Sequence, residues 1–416
     1  MAALLCRTGL VSLGAAGRGL TGGEHLMAGQ KLLEGIRIVD LTSVVFGPYA
    51  TETLADLGAD VIKVEVPGGD IFRHAGKPGA TPGMGPCTLN LNKGKRSLAL
   101  DLKGEEGKAV LAAQLAEADV FIHNVRGKAI ERLGFGYEAV KAIKPDIIYV
   151  HCTGFGSGGP YGDLQAYDDV IQAATGTTNL LGRVDGNPVP RFLPSLIADK
   201  VSGLHGAYAV MAAVIHKLRF GEGQFVEVPM FESFTHFMMQ EHLYGLTLVP
   251  TKEPAGYPRQ LDPFRQPFPA KDGYVVIVPY TPDAIDTVIA LLEAPELADD
   301  PRFIDYPSRM RNISEFYEEM AKRTPRLTMA EWAAKMAEHQ IPCMPVRDLD
   351  DITEDPHLKA VHFFQQRTHP TEGEYLKMRS PVTFSVGNFE VQPAPHIGQH
   401  NEALGAAPLP VKRRAG

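Results

Sequence analysis

The sequence has few cysteines, and they are far apart. Cys6, Cys87, Cys152 and Cys343 are the four cysteines of the 416-residue chain, and no two of them form a CxxC pair. This spacing predicts neither a disulfide framework nor a zinc site built on cysteine pairs. A reducing compartment, the cytoplasm, is therefore the expected location.

Long apolar runs and an excess of positive charge are also missing. No uninterrupted apolar run approaches the roughly 20 residues that a membrane-spanning helix needs, so no membrane partner is expected. The chain carries 41 basic and 49 acidic residues, which gives a formal net charge of −8. This balance argues against nucleic acid or an anionic membrane surface as the main partner.

The N-terminal segment differs in composition from the rest of the chain. Residues 1–26 are rich in alanine, glycine and leucine, and the first acidic residue is Glu24. We interpret residues 1–27 as a leader outside the fold, either disordered or preceding a later start at Met27. The alternative is a mitochondrial presequence, which would place the protein in mitochondria rather than the cytoplasm.

The stretch from Ile36 to Val64 predicts a strand, a helix and a second strand. Residues 36–41 form a short β-branched run, Pro48 suits the first turn of a helix, and residues 61–64 form a second apolar run. Such βαβ units build parallel sheets whose ligands bind beyond the carboxyl ends of the strands. The loop at 42–47 is thus the first place to expect a ligand.

The alternation continues along the chain. Further strands are predicted at residues 96–102, 119–122, 146–150 and 224–229, and helices at 105–116 and 130–143. Strands alternating with helices are typical of a parallel sheet covered on both faces. We therefore predict an α/β fold with a Rossmann-like parallel sheet.

Asp199 precedes the most regular helical pattern of the sequence. Apolar residues recur every three or four positions after it, at Val201, Leu204, Tyr208, Met211, Ile215 and Leu218. This stripe predicts a buried helix. Aspartate is a preferred N-cap residue, and capping is the favoured explanation of Asp199 from this pattern alone. A carboxylate held at a helix start can also serve as a nucleophile.

The composition changes near Thr251, where prolines become frequent. A strand is predicted at 274–278, helices at 284–292, 308–322 and 328–339, an extended linker at 341–346 and a short strand at 381–385. These shorter elements indicate a smaller α+β domain. The predicted bounds are 28–225 for the first part of the large domain, 226–340 for a linker and the small domain, and 341–416 for the return to the large domain and the tail.

Basic residues gather at two predicted strand ends. One group is the segment Asn92–Arg96 (NKGKR), and the other is Arg126, Lys128 and Arg132. They could surround a phosphorylated ligand, and the alternative is a solvated surface. His123 and His151 end neighbouring strands, but their spacing is not that of paired metal ligands, and no metal site is expected.

The order of these motifs resembles the class III CoA-transferases, a family that includes formyl-CoA transferase, carnitine CoA-transferase and the α-methylacyl-CoA racemases. The resemblance runs from about Leu32 to Leu404. It rests on the segments GIRIVDLTSVVFGP, LADLGADVIKVE, NKGKRSLALDLK, HNVR, IERLGFGYE, TGFGSGGPYG, AYDD, ADKVSG, GEGQFVEVPMFE, DGYVVI, IPCMPV and IGQH. It implies an interlocked homodimer in which a Rossmann-like large domain is built from both chain ends and a small domain lies between them.

The resemblance also implies the site residues. Asp199 would be the nucleophile. Coenzyme A would contact Val44, Val45, Phe46, Leu100, Lys103, Asn124, Val125, Arg126 and Arg132, with Tyr167 and Asp168 facing the thioester end.

The implied activity is transfer of coenzyme A from an acyl-CoA donor to a free carboxylic acid through an aspartyl-CoA thioester, with no prosthetic group. Acyl-CoA and small carboxylic acids are the expected partners. Arg259 and Arg265 suggest a pocket for a second carboxylate, although surface or dimer contacts explain them equally well.

Two alternatives stay open. An acyl-CoA racemase or epimerase of the same superfamily would use the aspartate of the AYD segment, Asp168, as one acid/base group. It would use a histidine just ahead of the preceding strand as the other, and residues 137–146 contain no histidine. A noncatalytic CoA-binding protein would retain Asp199 only as a helix cap.

Overall fold

The computed structural model describes residues 31–387 and 389–409, so the predicted leader lies outside the described residues. The strands β1 to β11 are Arg37–Leu41, Asp60–Glu65, Lys95–Ala99, Val120–His123, Ile148–Thr153, Gln224–Pro229, Phe268–Ala270, Gly273–Ile277, Cys343–Pro345, Phe364–His369 and Gly373–Met378. The helices α1 to α15 are Phe46–Asp56, Pro86–Leu91, Glu105–Ala116, Gly127–Leu133, Tyr137–Ile143, Asp168–Ala174, Leu180–Asp185, Ile197–Phe220, Met230–His242, Pro282–Leu291, Glu296–Asp299, Tyr306–Arg311, Ile313–Arg323, Met329–Glu338 and Pro356–Ala360. None of the helices in these ranges is both long enough and apolar enough to cross a membrane.

Six parallel strands form the central sheet, in the order β3-β2-β1-β4-β5-β6. Val39 of β1 lies between Ile62 of β2 and Phe121 of β4, and all three side chains are buried. Strands covered by helices on both faces are apolar throughout, which is why the sequence pattern identified them. The predicted parallel α/β sheet is confirmed.

The chain leaves β1 toward β2 and β3 on one side, and later returns to β4 on the other side of β1. The loops that follow β1 and β4 therefore diverge and leave a crevice beyond the carboxyl ends of these two strands. Ligands of open α/β sheets bind at such a switch point.

Helix α8 packs on α1 through small residues. A Cβ atom added to Gly203 would lie 2.8 Å from the carbonyl oxygen of Phe46, the first residue of α1. The glycine thus lets the two helices approach closely. Core residues of this face of the sheet include Ala50, Leu54 and Val210.

The prediction that the apolar stripe of α8 is buried is wrong for most of its length. Leu204, Tyr208, Ile215 and Leu218 are 49%, 56%, 56% and 74% exposed in the single chain. The small-residue face of the helix, rather than the face with large apolar residues, is the one that contacts α1 and the sheet. The exposed residues form an apolar face that no described residue of this chain covers.

A separate antiparallel sheet has the order β7-β8-β9. Helices α10, α13 and α14 contribute Ile285, Phe316 and Trp332 to its own apolar core. The predicted linker at 341–346 is wrong, because Cys343–Pro345 pairs with β8 as strand β9. Residues 381–385, predicted as a strand, form bends and irregular structure.

The observed strands and helices extend past both predicted domain boundaries. β6 completes the central sheet, and α9 adds Phe234 to the core of that sheet, so the large unit extends past the predicted boundary at 225 to at least His242. β9 extends the small sheet to Pro345, beyond the predicted boundary at 340. The division into two domains stays a prediction, with both boundaries moved toward the C terminus.

The C-terminal segment covers the outer edge of β3. The backbone of Ser97 exchanges hydrogen bonds with His400, whose amide donates to the Ser97 carbonyl and whose Nδ1 accepts from the Ser97 amide at 3.1 Å. The Asn401 side chain does the same for Ala99, accepting at 2.8 Å and donating at 3.1 Å. Both chain ends therefore contribute to the central sheet unit.

Candidate active site

A cavity of about 850 Å³ opens at the carboxyl ends of β1, β4 and β5. This volume is in the range of small-molecule and cofactor sites. The predicted site residues that line it are Val44, Phe46, Asn124, Val125, Arg126, Arg132, Tyr167 and Asp199. The structure thus brings together side chains that are up to 155 positions apart in the sequence.

The loop after β1 is held in a strained conformation. Val44 has a φ of +70°, which is costly for a β-branched residue and persists only where the surroundings impose it. Its amide donates to the carboxylate of Asp70 at 3.1 Å, and Asp70 is paired with the buried ammonium of Lys63 at 3.0 Å. Lys63 also donates to the carbonyl of Thr42 at 3.0 Å. Buried charges therefore fix the shape of the predicted coenzyme-binding loop.

Asn124 joins the ends of β1 and β4. Its Oδ1 accepts from the amide of Ser43 at 3.0 Å, and its Nδ2 donates to the carbonyl of Ser43 at 2.9 Å. Because the side chain satisfies both backbone groups of one residue, it locks the two loops in register. The predicted role of Asn124 in direct contact with a ligand stays a prediction.

The NKGKR segment does not reach the cavity. Lys93 is buried and pairs with Glu52 and Asp56, and Lys95 is buried beside Asp40, with Nζ and Oδ2 3.5 Å apart. Neither a phosphate site nor a solvated surface describes these lysines, because carboxylates of α1 and β1 neutralise them inside the protein. A sequence pattern shows the charges of both groups but not their pairing.

The second basic group does line the cavity. Arg126 immediately precedes α4, Lys128 lies in the first turn of this helix and Arg132 lies in its last turn. Lys128 pairs with Asp163 on the opposite side at 2.7 Å, and both side chains are largely exposed. Three cations on one wall give the cavity a side suited to phosphate groups.

Histidine and aromatic side chains form the floor. The rings of His123 and His151 are stacked with centroids 4.7 Å apart, and His123 Nε2 lies 2.8 Å from the hydroxyl of Tyr149. Burial lowers the pKa of both histidines, and their mutual repulsion lowers the pKa of His123 further. The floor is thus uncharged at neutral pH.

Sequence reasoning missed several lining residues, notably Tyr137, Tyr149, Phe225 and Glu227. Tyr149 and Glu227 lie on strands whose pattern predicted only burial. A polar residue inside an otherwise apolar strand was the available signal for both.

Asp199 lies in the first turn of α8 and is 5% exposed. Burial, followed by the charges of Asp168 and Asp169, raises its pKa from 3.8 to about 7. A carboxylate that is poorly solvated and that repels its neighbours is a better nucleophile than one in water. Its position at the cavity wall gives it access to a bound ligand.

Asp168 supports the start of α8 from below rather than lining the cavity. It is buried, and its Oδ2 accepts from the backbone amide of Asp199 at 3.0 Å. The preceding residue, Tyr167, is 62% exposed and lines the cavity. The two residues predicted together at the thioester end therefore have different positions.

Other predicted residues do not line the cavity of the single chain. Val45 and Leu100 are buried, and Lys103 is exposed beyond the end of β3, the outermost strand on its side. Arg259 stacks on Tyr280 with 4.7 Å between the guanidinium and the ring centroid. Arg265 donates to Gln260 at 2.7 Å.

One group of possible metal ligands occurs among the described residues, away from the cavity: His369, Glu372 and His396. The Thr371 hydroxyl lies 2.8 Å from Glu372 Oε1, 2.9 Å from His396 Nε2 and 3.3 Å from His369 Nδ1. Glu372 also accepts from the amides of Ala80 and Thr81. The group therefore acts as a hydrogen-bonded link between the β10–β11 turn and an N-terminal loop.

Comparison with known proteins gives a match over most of the chain. The model of the family described as CoA-transferase family III matches residues 33–401. The chain belongs to CoA-transferase family III. It is accordingly a class III CoA-transferase, an enzyme class whose substrates are CoA thioesters.

Two curated relatives of this transferase are similar over most of their length. Human succinyl-CoA:glutarate CoA-transferase is 32% identical over 405 residues, covering 96% of this chain and 91% of the relative. Formyl-CoA:oxalate CoA-transferase of Streptomyces avermitilis is 32% identical over 391 residues, covering 89% and 94%.

A solved structure of a CAIB/BAIF family protein from Brucella suis has the same architecture. Its TM-score with this transferase is 0.78 at 30% identity, covering 90% of this chain and 98% of the other.

Proposed function

We propose that this transferase moves coenzyme A from an acyl-CoA donor to a free carboxylic acid through a covalent thioester on Asp199. The observation that carries the proposal is the position of Asp199, a buried carboxylate with a raised pKa at the wall of the cavity. Burial and two neighbouring acids are the causes of that shift, and no donor among the described residues stabilises its charge. Its lone pairs are thus free to attack.

The reaction has two symmetrical halves. The Asp199 carboxylate attacks the donor thioester carbonyl, and the C–S bond breaks to give a mixed anhydride and coenzyme A thiolate. The thiolate then attacks the aspartyl carbonyl and releases the donor acid, leaving the aspartyl-CoA thioester. The acceptor carboxylate reverses these steps, so the products are a new acyl-CoA and free Asp199. No proton, electron or phosphate is consumed.

The cavity walls support coenzyme A as the constant part of the substrate. Arg126, Lys128 and Arg132 provide cations for phosphate groups, and Val44 and Phe46 of the braced loop line the same cavity as Asp199. Burial of Asp199 keeps water away from a thioester that would otherwise hydrolyse.

We propose small, mainly dicarboxylic, acids as the exchanging partners. Support comes from the names of the two curated relatives, which pair succinyl-CoA with glutarate and formyl-CoA with oxalate. Arg259 and Arg265 do not line the cavity of one chain, so a role for either in binding a second carboxylate would require the interlocked dimer that the family resemblance implies. A panel of acyl-CoA donors and free acids, read by exchange of the thioester, identifies the pair.

Trapping tests the covalent step. Incubation with an active acyl-CoA donor and hydroxylamine should convert Asp199 to its hydroxamate, detected by peptide mass spectrometry, and omission of the donor should abolish the modification. Asp199→Asn should lower kcat by roughly 10³-fold or more, because the nucleophile is lost.

Asp351→Asn is the matched control. It removes a carboxylate that is exposed, does not line the cavity and is not among the charges that act on Asp199, so its kcat should remain close to that of the parent. Turnover without any modification of Asp199, or normal kcat in Asp199→Asn, would contradict the proposal.

A racemase is the second candidate, favoured by one observation. His151 lines the same cavity as Asp199, although no histidine occurs at residues 137–146. A histidine and an aspartate could exchange a proton at the carbon next to the thioester carbonyl. Deuterium uptake from D₂O into a chiral 2-methylacyl-CoA, without any acceptor acid, would identify this activity.

A further inference from the structure

Gln172 is a fully buried amide that no step of the proposed reaction uses. It lies on α6, one turn after Asp168, and does not line the cavity. A buried amide has two donor hydrogens and an acceptor oxygen to satisfy, so its partners report what it holds in place.

The hydrogen-bond partners of Gln172 lie on α6 and in the segment that leads into α8. Its Nε2 donates to Asp168 Oδ1 at 2.6 Å and to the carbonyl of Ser195 at 3.2 Å, and its Oε1 accepts from the amide of Leu193 at 2.9 Å. The orientation of the amide is fixed by these contacts, since a carboxylate accepts only from the nitrogen and a backbone amide donates only to the oxygen.

Two connections link Gln172 to Asp199. Through Asp168, whose other oxygen accepts from the Asp199 amide at 3.0 Å, it determines where a negative charge lies next to the nucleophile. Through Leu193 and Ser195 it fastens the segment that leads into α8 to helix α6. A hydrogen bond to a carboxylate inside the protein is stronger than one between neutral groups.

We propose that Gln172 is a positioning residue of the transfer reaction, which holds the Asp168 carboxylate against the backbone of Asp199 and so sets the ionisation and orientation of the nucleophile. This inference rests on the proposed function, in which Asp199 attacks the thioester. Gln172 itself touches neither the nucleophile's side chain nor the cavity.

Other charges near the start of α8 are accounted for separately. Asp169 follows Asp168 on α6, and its charge acts on Asp199 in the same direction. The ammonium of Lys200 is turned to the hydroxyl of Ser195 at 2.7 Å. His151 and Glu227 belong to the cavity floor and wall. None of these four groups is hydrogen-bonded to Gln172, whereas Asp168 is.

Gln172→Met tests the role with little change of side-chain length. Without the Nε2 donor, the Asp168 carboxylate is no longer held against the backbone of Asp199, and its movement away weakens the negative charge beside the nucleophile. In the parent, kcat/KM for acyl-CoA should rise with pH around a midpoint of about 7, where Asp199 ionises. The variant should show a lower midpoint and a loss of about 10- to 100-fold in kcat.

Thr175→Val is the matched control, because it removes a hydroxyl on the next turn whose partners are Ile171, Gln172 carbonyl and Thr177 rather than either aspartate. It should leave both the midpoint and kcat close to the parent values. A fall in kcat in Gln172→Met with an unchanged midpoint would mean general loosening of the structure and would overturn the proposal.

Gln172→Glu gives an independent test that does not depend on Gln172→Met folding. A protonated glutamate can donate to Asp168 as the amide does, whereas an ionised one repels it. The rising pH profile should therefore become bell-shaped, with activity recovered only on the acid side. A profile that keeps the shape of the parent would contradict the role.

The failure of this inference can be told from failure of the proposed function. Titration of Asp199 by NMR with ¹³C-labelled aspartate reads its ionisation without any turnover, and Asp199→Asn assigns the signal. If Gln172→Met lowers the titration midpoint of Asp199, the effect of Gln172 on Asp199 is upheld. If Asp199→Asn also turns over normally, the role of Asp199 as the nucleophile is rejected. An unchanged Asp199 midpoint would reject the link itself.

Discussion

Asp199 shows how burial sets the chemistry of a single residue. Its carboxylate is desolvated in the first turn of α8 and lies near two other acids, and together these effects raise its pKa to about 7. A carboxylate that is costly to ionise in the folded protein is more reactive, but its ionised form lowers the free energy of unfolding. The residue that benefits catalysis is therefore expected to weaken the fold.

This cost predicts a pH-dependent difference in stability. Between the ordinary pKa of 3.8 and about 7, the folded chain keeps a proton on Asp199 that the unfolded chain has lost, so stability falls as pH rises through this window. Asp199→Asn removes this pH dependence. Its free energy of unfolding relative to that of the parent should therefore increase by about 1–3 kcal/mol as the pH rises from 4.5 to 8. Thermal unfolding of both proteins at these pH values measures the change, and a constant difference in Tm would contradict it.

The position of a single residue at the site could be predicted from the sequence where the residue lies in a recognisable motif. Asp199 and Asn124 lie at a helix start and a strand end, and the structure places both at the cavity. Lys95 was misread because its partner, Asp40, is 55 positions away and was not recognised as buried. Gln172 was missed because the sequence contains no signal for a buried amide that bridges two loops.

At the scale of elements, the close contact of α8 with α1 determines where the nucleophile lies. Gly203 is one turn after Asp199, and Phe46 both begins α1 and lines the cavity. The glycine contact therefore sets the distance between the nucleophile and the coenzyme-binding loop.

Gly203→Ala should disturb this contact. Its Cβ would lie 2.8 Å from the Phe46 carbonyl oxygen, which is backbone and cannot rotate away. The expected cost is about 1–3 kcal/mol of stability, together with a raised KM for acyl-CoA, measured by denaturant unfolding and steady-state kinetics. Gly206→Ala is the control, because its nearest neighbour would be the Ala50 Cβ at 3.3 Å, and it should change both quantities less.

The elements of the central sheet were predicted well because buried parallel strands are uninterrupted apolar runs. The β10–β11 hairpin was missed, since its residues Phe364–His369 are mostly polar and partly exposed. β9 was missed because it is only three residues long, follows Pro342 and ends at Pro345, at the edge of its sheet. An apolar sequence pattern predicts burial, whereas these strands are extended because they hydrogen-bond to a neighbouring strand.

At the scale of the whole molecule, the exposed apolar face of α8 supports the predicted homodimer. Leu204, Tyr208, Ile215 and Leu218 lie along one side of a 24-residue helix. Contiguous apolar patches of this kind mark protein interfaces. The pattern that predicted burial is therefore consistent with burial by a second copy.

Charges on this face should separate the copies. Ile215→Glu combined with Leu218→Glu should shift the protein from twice the mass of one chain to one chain in sedimentation analysis, because two carboxylates would be buried without partners. Leu349→Glu, at a site 84% exposed and far along the chain, is the control and should remain dimeric. A parent protein that sediments as a single chain would refute the homodimer.

The C-terminal segment that covers the edge of β3 restricts how two copies of the chain can associate. His400 and Asn401 occupy the hydrogen-bonding groups of Ser97 and Ala99 that a foreign strand would need. The molecule thus fills this rim of its sheet with its own polypeptide, which bars fibril-like stacking there. A second copy that joins this molecule must therefore bind at a surface other than the β3 edge.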